Sequence, residues 1–469
     1  MLRKSKEIRP FGFRDKIGYL FGDFGNDFTF ILSTVLLMKF YTDVLGVSGS
    51  VVGTVMMIAR FADGFTDVAM GRICDRGKTR RAGKFKPWIL RMCIPVALTS
   101  FLMYQSSLIH TPIWFRIPWL FATYILWSSV FYTSINIPYG SMASAISPEA
   151  GDRQSLSTFR TMGGTLAGLI IGVIIPLYAY ENKDGYAVLN GDKATAVAAV
   201  FSLLAVLCHF LCYKLVTERV KTPNATGDRS EDTVVEMLKK ARKNRPLISI
   251  IAASVVMLLA QLTLQNMAAY IYPDFYGTAV AQSVSTIVMM VGMILAAIVS
   301  KPLAVRFGKA EISVVSNLFA AGVCLILFFV RPQNVWVYVA FQGFCWIGLG
   351  IFSMVSWALI TDVIDDSELK YGRREDGSVY ALYSFARKLG QALAAGASGW
   401  LLDGIGYSEN AAISGEGQSE SVLQGIFNIS TIVPAIGFSA LALILWFWYP
   451  LRKKRVEANI KALKEKHRP

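Results

Sequence analysis

Two pairs of aspartates lie inside apolar segments of this 469-residue chain. Asp63 and Asp67 belong to the stretch "ARFADGFTDVAM", and Asp23 and Asp27 belong to "GYLFGDFGNDFTF". Both pairs are spaced i, i+4, which places the two carboxylates of each pair on one face of a helix. Like charges in this position repel, so the spacing indicates either a cation between the carboxylates or a shared proton. The alternative is that a neighbouring Arg or Lys neutralises each aspartate.

Oxygen-bearing and aromatic side chains accompany these carboxylates. Thr66 lies between the aspartates of "ADGFTD" and offers the additional oxygen that a hard cation such as Na⁺ requires, whereas a proton needs only a carboxylate. In "WSSVFYTSINIPYGSMASAI", Thr133 adds another hydroxyl, and Tyr132 and Asn136 share one helical face. Aromatic, amide and carboxylate groups together suit a polyhydroxylated ligand. The alternative for Asn136 is packing against a neighbouring helix.

Cationic side chains also occur in or beside apolar segments. Arg160 lies at the start of one such segment, where it either binds a ligand or extends to the membrane interface. The segment "YALYSFARKLGQALAAGASGW" places four polar residues on or near one helical face: Tyr383, Ser384, Arg387 and Lys388. Because Lys388 lies well past the start of the segment, an interfacial anchor does not explain it, and we predict that this face binds substrate.

An acidic cluster precedes that face, in "TDVIDDSELKYGRREDG". Asp362, Asp365 and Glu368 either pair with basic residues of another loop, which would form an inner gate, or belong to a solvated loop. A membrane-embedded transferase would need a catalytic loop with clustered carboxylates or histidines, and no such loop is visible outside 362–376. The six cysteines fall in or beside apolar segments, and neither they nor the three histidines show metal-ligand spacing. We therefore expect no enzyme activity, no metal centre and no cofactor apart from a coupling ion.

Long apolar segments must position all of these residues. The chain is 54% hydrophobic and 17% charged, whereas soluble domains carry about 25% charged residues. Apolar runs of about 20 residues recur along it, each long enough to cross a hydrocarbon core about 30 Å thick. They occupy approximately residues 17–41, 50–72, 88–107, 115–140, 160–180, 195–217, 247–271, 280–302, 312–331, 335–360, 379–403 and 426–449. The sequence therefore predicts an all-α polytopic membrane protein with twelve transmembrane helices in two pseudo-symmetric six-helix bundles.

The division of the chain follows from these segments. We expect an N-terminal bundle at 1–217, a cytoplasmic central loop at 218–246 with room for a short surface helix, a C-terminal bundle at 247–449 and a basic tail at 450–469. Lys and Arg concentrate at the N-terminus, between the second and third segments, in the central loop and in the tail. By the positive-inside rule both termini are cytoplasmic. A basic face beside anionic lipid then explains the net charge of +15 without nucleic acid.

Three motifs resemble those of a known family. The run "DGFTDVAMGRICDR…GKFKPW", the stretch "NIPYGSM" and "TDVIDDSE…G…Y…FARKLGQA" are similar to the glycoside–pentoside–hexuronide:cation symporters, the melibiose-carrier branch of the major facilitator superfamily. The resemblance spans almost the whole chain. It implies a fold of two six-helix bundles, alternating access around a central site, and sugar import driven by a Na⁺, Li⁺ or H⁺ gradient.

The resemblance also implies binding residues. A cation site would comprise Asp63, Thr66, Asp67 and Thr133, and a sugar site would comprise Asn26, Asp27, Tyr132, Asn136, Gly140, Arg160, Ser384 and Lys388. The melibiose-type pattern has Lys at the position of Asn26, Asp at that of Asn136, Trp at that of Gly140 and Asn at that of Thr66. Galactoside specificity is therefore not implied.

"NIPYGS" and the Arg-Lys pair look more like the glucuronide carriers of this family. Arg160, Arg387 and Lys388 would then hold a sugar carboxylate, although Arg387 would alternatively pair with an aspartate. The leading hypothesis is a cation-coupled glycoside symporter that acts as a monomer in a bacterial-type cell membrane. A passive facilitator is the rival, but it gives no reason to keep Asp63 and Asp67 in an apolar helix.

Overall fold

The computed structural model describes residues 9–77, 82–183, 186–220, 244–371 and 376–466. The part of the central loop for which the sequence allowed a surface helix falls largely at 221–243, outside the described residues. The helices are α1 (Phe13–Asp43), α2 (Gly49–Arg76), α3 (Lys86–Leu102), α4 (Ile113–Ile125), α5 (Thr133–Ile146), α6 (Ala150–Tyr178), α7 (Gly191–Leu215), α8 (Arg245–Tyr270), α9 (Val280–Phe307), α10 (Lys309–Val330), α11 (Val335–Tyr371), α12 (Asp376–Gly404), α13 (Glu409–Ser414), α14 (Glu420–Leu443) and α15 (Lys453–Lys466).

Three π-helical turns interrupt or extend these helices. Leu126–Tyr132 joins α4 to α5, Ile271–Phe275 extends α8, and Ile444–Trp448 extends α14. With the turns included, nine of the helices in the described part of the chain are long and apolar enough to cross a membrane. Of the other long helices, α3 has 17 residues, and α2 and α12 carry charged side chains along their length.

Two small features were not predicted from the sequence. A short 3₁₀ helix, Ser106–His110, lies between α3 and α4. The connection between α6 and α7 contains a two-stranded sheet of β1 (Tyr180–Lys183) and β2 (Tyr186–Leu189). Each strand has four residues, so apolar periodicity gives little signal for them.

The chain divides into two compact units. The first comprises Met1–Val47, Ile58–Glu181 and Leu189–Asp228, and the second comprises Ser48–Met57, Asn182–Val188 and Arg229–Pro469. In the first unit α1 packs against α6 and α7, and α3 packs against α5 and α7. This arrangement brings the polar residues of α1 next to those of α5, α6 and α7.

The second unit is built around α8, α10 and α11. Helix α11 packs against α9 and α10, while α14 lies between α8 and α10, and α12 packs against α8. Its core is apolar and includes Met257, Phe352 and Phe438.

The outer helix surfaces remain apolar as well. Phe65, Leu203, Val305 and Phe329 are all more than 70% exposed, and only 22% of the most apolar stretch of α9 is buried within the protein. A soluble protein rarely exposes so much apolar surface. A hydrocarbon solvent accounts for it, because the bilayer removes the cost of leaving such side chains uncovered.

Candidate functional site

The π-helical turn before α5 places two hydroxyl groups on one buried aspartate. Asp63 of α2 is 7% exposed, and its carboxylate accepts hydrogen bonds from Ser128 Oγ at 2.6 Å and from Ser129 Oγ at 2.7 Å. Neighbouring residues of an α-helix point about 100° apart, and a π turn is wider than an α turn. The two consecutive serines of this turn therefore reach the two oxygens of the same carboxylate.

Arg60 supplies the positive charge nearest to this carboxylate. Its Nη1 lies 3.6 Å from Asp63 Oδ2, one helical turn away in α2, and both side chains are about nine-tenths buried. The distance allows an ion pair but no hydrogen bond. The sequence-based alternative, neutralisation by a neighbouring Arg, thus has a candidate in Arg60, whose position at i−3 was visible in "ARFAD".

Asp67 has a separate hydroxyl partner. Thr133 Oγ1 donates to Asp67 Oδ1 at 2.8 Å, and Thr133 is 3% exposed. Thr66 instead donates to the backbone carbonyl of Asp63 at 3.3 Å, within its own helix. The structure therefore brings Asp63, Asp67 and Thr133 together, adds the two serines, and leaves Thr66 bonded to the backbone. We call Asp63 and Asp67 the hydroxyl-bonded pair.

The second aspartate pair meets an arginine from α6. Arg160 Nε donates to Asp23 Oδ1 at 3.0 Å, and its guanidinium lies 5.3 Å from the centre of the Tyr139 ring. The Arg160 side chain is 40% exposed. Because the bond to Asp23 uses Nε, the terminal nitrogens of the guanidinium can bind a further anion or oxygen atom. We call Asp23 and Asp27 the arginine-bonded pair.

Asp27 is the unsatisfied member of that pair. It is half-buried and has no hydrogen-bond or ion-pair partner among the described residues. A Cβ atom at Gly164 of α6 would lie 2.4 Å from Asp27 Oδ2 and 3.0 Å from Asp23 Oδ2. Glycine at this position therefore makes room for both carboxylates, and the Asp27 carboxylate can accept hydrogen bonds from a ligand.

Phe30 of α1 connects the surroundings of the two pairs. Its ring stacks on Tyr132, with 5.5 Å between centroids and an interplanar angle of 26°. The Arg60 guanidinium lies 4.6 Å from the centre of the Phe30 ring. A cation over an aromatic face is attracted by the ring quadrupole. Phe30 therefore contacts both Arg60 and Tyr132, which was predicted to contact substrate.

Two asparagines predicted from the sequence lie in contact. Asn26 Nδ2 donates to Asn136 Oδ1 at 3.4 Å, and Asn26 Oδ1 lies 3.1 Å from His209 Nε2 of α7. The sequence had given His209 no role. A Cβ atom at Gly140 would lie 3.7 Å from Arg160 Nη1, so the absence of a side chain there leaves space beside the guanidinium.

The predicted residues of α12 have different surroundings, all within the second unit. Tyr383 is fully buried, and its hydroxyl accepts a hydrogen bond from Ser254 at 2.9 Å. Arg387 is half-buried, about 6 Å from the ring centres of Trp357 and Tyr383, and contacts no carboxylate among the described residues. Ser384 is exposed and Lys388 half-buried. The full burial of Tyr383 gives no support to direct substrate binding by this residue.

The predicted gate residues lie at the end of α11. Asp362 accepts a hydrogen bond from Lys309 Nζ at 2.6 Å, so it pairs with the start of α10. The neighbouring Asp366, which was not predicted, contacts Lys370 and the tail helix residue Arg455. The gating role of Asp362, Asp365 and Glu368 stays a prediction.

The donor set of the hydroxyl-bonded pair suits a hard monovalent cation. Within the described ranges no three His, Cys, Asp or Glu residues come together as ligands for a metal ion. Two carboxylates and three hydroxyls, however, offer only oxygen atoms, which hard cations prefer. A proton would need only one of the carboxylates.

Comparison with known proteins gives the family. A family model described as "MFS/sugar transport protein" matches residues 18–453. The "Uncharacterized symporter YjmB" of Bacillus subtilis (strain 168) is 29% identical over 457 residues, covering 97% of this chain and 95% of that protein. The "Putative sulfoquinovose importer" of Escherichia coli (strain K12) is 30% identical over 466 residues, covering 97% and 94%.

A solved structure confirms the fold. The crystal structure of the nucleoside transporter NupG has a TM-score of 0.64 to this chain at 13% identity, covering 92% of this chain and 99% of that one. At this identity the likeness concerns the fold alone. The family match and the motifs agree, and the absence of enzyme activity expected from the sequence follows from membership of a transporter family. The chain belongs to the MFS/sugar transport protein family, as a multi-span membrane transporter of the glycoside–pentoside–hexuronide type.

Proposed function

We propose that this protein imports a glycoside in symport with one monovalent cation, Na⁺ or H⁺, across a bacterial-type cell membrane, with both termini cytoplasmic. The observation that carries the proposal is the presence of two aspartate pairs in the first unit with different partners. The hydroxyl-bonded pair provides a small cage of oxygen atoms, and the arginine-bonded pair provides a half-exposed surface of mixed charge. The name of the symporter relative supports the coupling to an ion.

The oxygen atoms around the hydroxyl-bonded pair support one monovalent cation there. The hydroxyls of Ser128 and Ser129 contact Asp63, and that of Thr133 contacts Asp67. The hydrogen bonds from the two serines to Asp63 would change when either Na⁺ or a proton binds. For Na⁺ the reason is that a serine oxygen that coordinates the ion must turn its own proton away from it. Arg60 lies at 3.6 Å without a hydrogen bond, so it can withdraw toward Phe30 when a cation arrives.

The arginine-bonded pair would bind the glycoside. Asp27 accepts hydrogen bonds from sugar hydroxyls, and the terminal nitrogens of Arg160 donate to sugar oxygens or hold an acidic group. Tyr132 supplies an aromatic surface. A cation and a sugar that both favour one occluded state raise each other's affinity by the same factor.

An acidic sugar or its glycoside is the proposed substrate class. Sulfoquinovose carries a sulfonate group, and the relative named as its putative importer shares 30% of its sequence with this chain. Arg160 is half-exposed beside the space at Gly140, where a sulfonate or carboxylate would fit. A neutral glycoside is the second candidate, favoured by Asp27, because a carboxylate without a partner attracts hydroxyls and repels an acidic group.

Uptake into membrane vesicles tests the proposal. Sulfoquinovose, a methyl glucuronide and a neutral methyl glycoside would be added while pH and Na⁺ electrodes record the external ions. We expect the acidic sugars to produce an ion uptake signal that Asp67→Asn abolishes while substrate exchange without a gradient persists. Accumulation by Asp67→Asn at the wild-type level would refute the assignment of the cation site. A signal with the neutral glycoside alone would establish the second candidate.

A further inference from the structure

A buried histidine of α7 contacts Asn26, which the family resemblance places in the sugar site, although this histidine has no place in the proposed mechanism. His209 is 1% exposed, as is Asn26 of α1, and its Nε2 lies 3.1 Å from Asn26 Oδ1. A Cβ atom at Gly25 would lie 2.7 Å from ring atoms of His209. Glycine at that position therefore allows the imidazole to reach α1, and any side chain there would separate the two groups.

The hydrogen bonds form a chain with a defined direction. Asn26 Nδ2 donates to Asn136 Oδ1 at 3.4 Å, and in this orientation the carbonyl oxygen of Asn26 faces His209 Nε2. Because an amide oxygen only accepts, this arrangement is compatible with a proton on Nε2. Nδ1 of His209 has no hydrogen-bond partner within the described part of the chain, which agrees with an unprotonated Nδ1.

Asn136 ends the series of hydrogen bonds that runs from His209 through Asn26, and its amide nitrogen is not used in that series. Asn136 is half-buried, and its carbonyl oxygen already accepts from Asn26. Its Nδ2 has no hydrogen-bond partner among the described residues. Two N–H donors are therefore available at this position, where reversal of the amide would offer a carbonyl acceptor instead.

We propose that His209 is a positioning residue that acts through Asn26 to make Asn136 a hydrogen-bond donor toward the substrate. An asparagine amide has no preferred orientation of its own, because its oxygen and nitrogen ends have nearly the same shape. The histidine tautomer decides the orientation of both amides. With Nε2–H, Asn136 donates to oxygen atoms of the sugar ring or its acidic group. The role of Asn136 in substrate binding rests on the proposed function and on the sugar site that the family resemblance implies.

The opposite tautomer gives the opposite specificity. In an Nδ1–H ring, Nε2 would accept from Asn26, both amides would turn over, and Asn136 would present its carbonyl to sugar hydroxyls. The two arrangements are distinguishable by spectroscopy and by the substrates that they favour.

The first arm of the test measures the tautomer directly. The full-length protein labelled with ¹⁵N-histidine has three imidazoles, and the signal that disappears in His209→Gln belongs to His209. We expect the ¹⁵N shifts of a neutral Nε2–H ring, and a changed Nε2 shift in Asn26→Leu, which removes the acceptor. An Nδ1–H ring, or a positively charged one, would overturn the proposal.

The second arm measures transport of sulfoquinovose and of a methyl glucuronide. His209→Gln keeps an N–H donor close to the position of Nε2, whereas His209→Met has similar bulk and no donor. We expect His209→Met to raise KM about 10-fold with little change in Vmax, and His209→Gln to restore a KM near that of the wild type. Equal losses in the two variants would overturn the positioning role, because a packing role does not require a donor.

The two arms separate this proposal from the proposed function. If the wild-type protein transports neither sugar, the substrate assignment fails, and the tautomer of His209 still decides the orientation of Asn26 and Asn136. If both sugars are transported and the tautomer is Nδ1–H, the proposed function stands and the positioning role of His209 fails.

Discussion

The two aspartate pairs of the first unit have the same spacing and different surroundings. Both carboxylates of the hydroxyl-bonded pair accept hydrogen bonds from hydroxyls, through Ser128 and Ser129 at Asp63 and Thr133 at Asp67. In the arginine-bonded pair, Arg160 holds Asp23, and Asp27 has no partner in the described part of the chain. A cage of fixed oxygen atoms selects by size and charge, whereas an open carboxylate beside an arginine can bind a larger polar ligand.

Spacing alone therefore does not specify what a carboxylate pair binds. The i, i+4 pattern guarantees a common face and therefore a local concentration of negative charge. The facing helix determines the rest. The π-helical turn brings hydroxyls to one pair, and α6 brings a guanidinium and a glycine to the other.

The largest expected effects come from replacing a carboxylate by an amide. Asp63→Asn should weaken cation affinity about 30-fold or more and change sugar affinity little in the absence of the cation. Asp27→Asn should weaken sugar affinity about 30-fold or more and change cation affinity little. A lost bond to a charged group corresponds to about 1.5–3 kcal/mol. Binding of cation and of sugar to the purified protein, each measured alone, checks both. If the two variants lose the same ligand, the division into two sites is wrong.

A side chain at position 164 should weaken sugar binding, because it would displace the carboxylates of the arginine-bonded pair. Gly164→Ala would place a methyl group 2.4 Å from Asp27 Oδ2, and overpacking of this kind costs about 1–3 kcal/mol. We expect sugar affinity to fall about 10-fold while cation affinity is retained. The matched control is Gly168→Ala, whose methyl group would meet only the end of the flexible Ile31 side chain at 3.3 Å. Equal effects of the two substitutions would contradict the account of Gly164.

Substitutions of Thr133 and Thr66 test which hydroxyl contributes to cation binding at the hydroxyl-bonded pair. Thr133→Val removes the hydroxyl that donates to Asp67, whereas Thr66→Val removes one that donates to the backbone of α2. We expect Thr133→Val to raise the cation concentration for half-maximal transport about 10-fold and Thr66→Val to have less than a 3-fold effect. The resemblance predicted both threonines as cation ligands, so a larger effect of Thr66→Val would favour that prediction over the geometry.

The smallest expected effect concerns the connection between the two pairs. Phe30→Leu keeps the apolar character and removes the ring that contacts both Tyr132 and Arg60. Because a cation–π contact corresponds to about 0.5–2 kcal/mol, we expect the enhancement of sugar affinity by the cation to fall about 3- to 5-fold. Sugar affinity without the cation should stay within 2-fold. An unchanged enhancement would show that coupling does not pass through Phe30.

Several features were predictable because they depend on local pattern. Apolar runs of membrane length predicted the helical membrane fold, which the family match and the solved structure confirm. Motif resemblance placed Asp63, Asp67 and Thr133 in one site, and the structure brings them together. Nothing in the local pattern indicated the role of Ser128 and Ser129, because two consecutive serines on an ordinary α-helix would not be expected to share one acceptor.

Other contacts join residues that are far apart in the sequence. Arg160 reaches Asp23 from 137 positions away, and His209 reaches Asn26 from 183 positions away. Tyr383 was expected on a binding face, yet it is buried with its hydroxyl bonded to Ser254. Helical periodicity predicts which residues share a face, but not which neighbouring helix that face meets.

The long apolar helices and the common face of each aspartate pair could be read from the amino-acid sequence, because both follow from composition and from 3.6 residues per turn. The partner of each carboxylate depends on how the helices pack. Hydrogen bonds and ion pairs require contacts within about 3–4 Å, and such distances between helices depend on close packing around glycines and on the π-helical turn. For Asp63 and Asp27 that packing made the difference between a carboxylate enclosed by hydroxyls and one left available to a ligand.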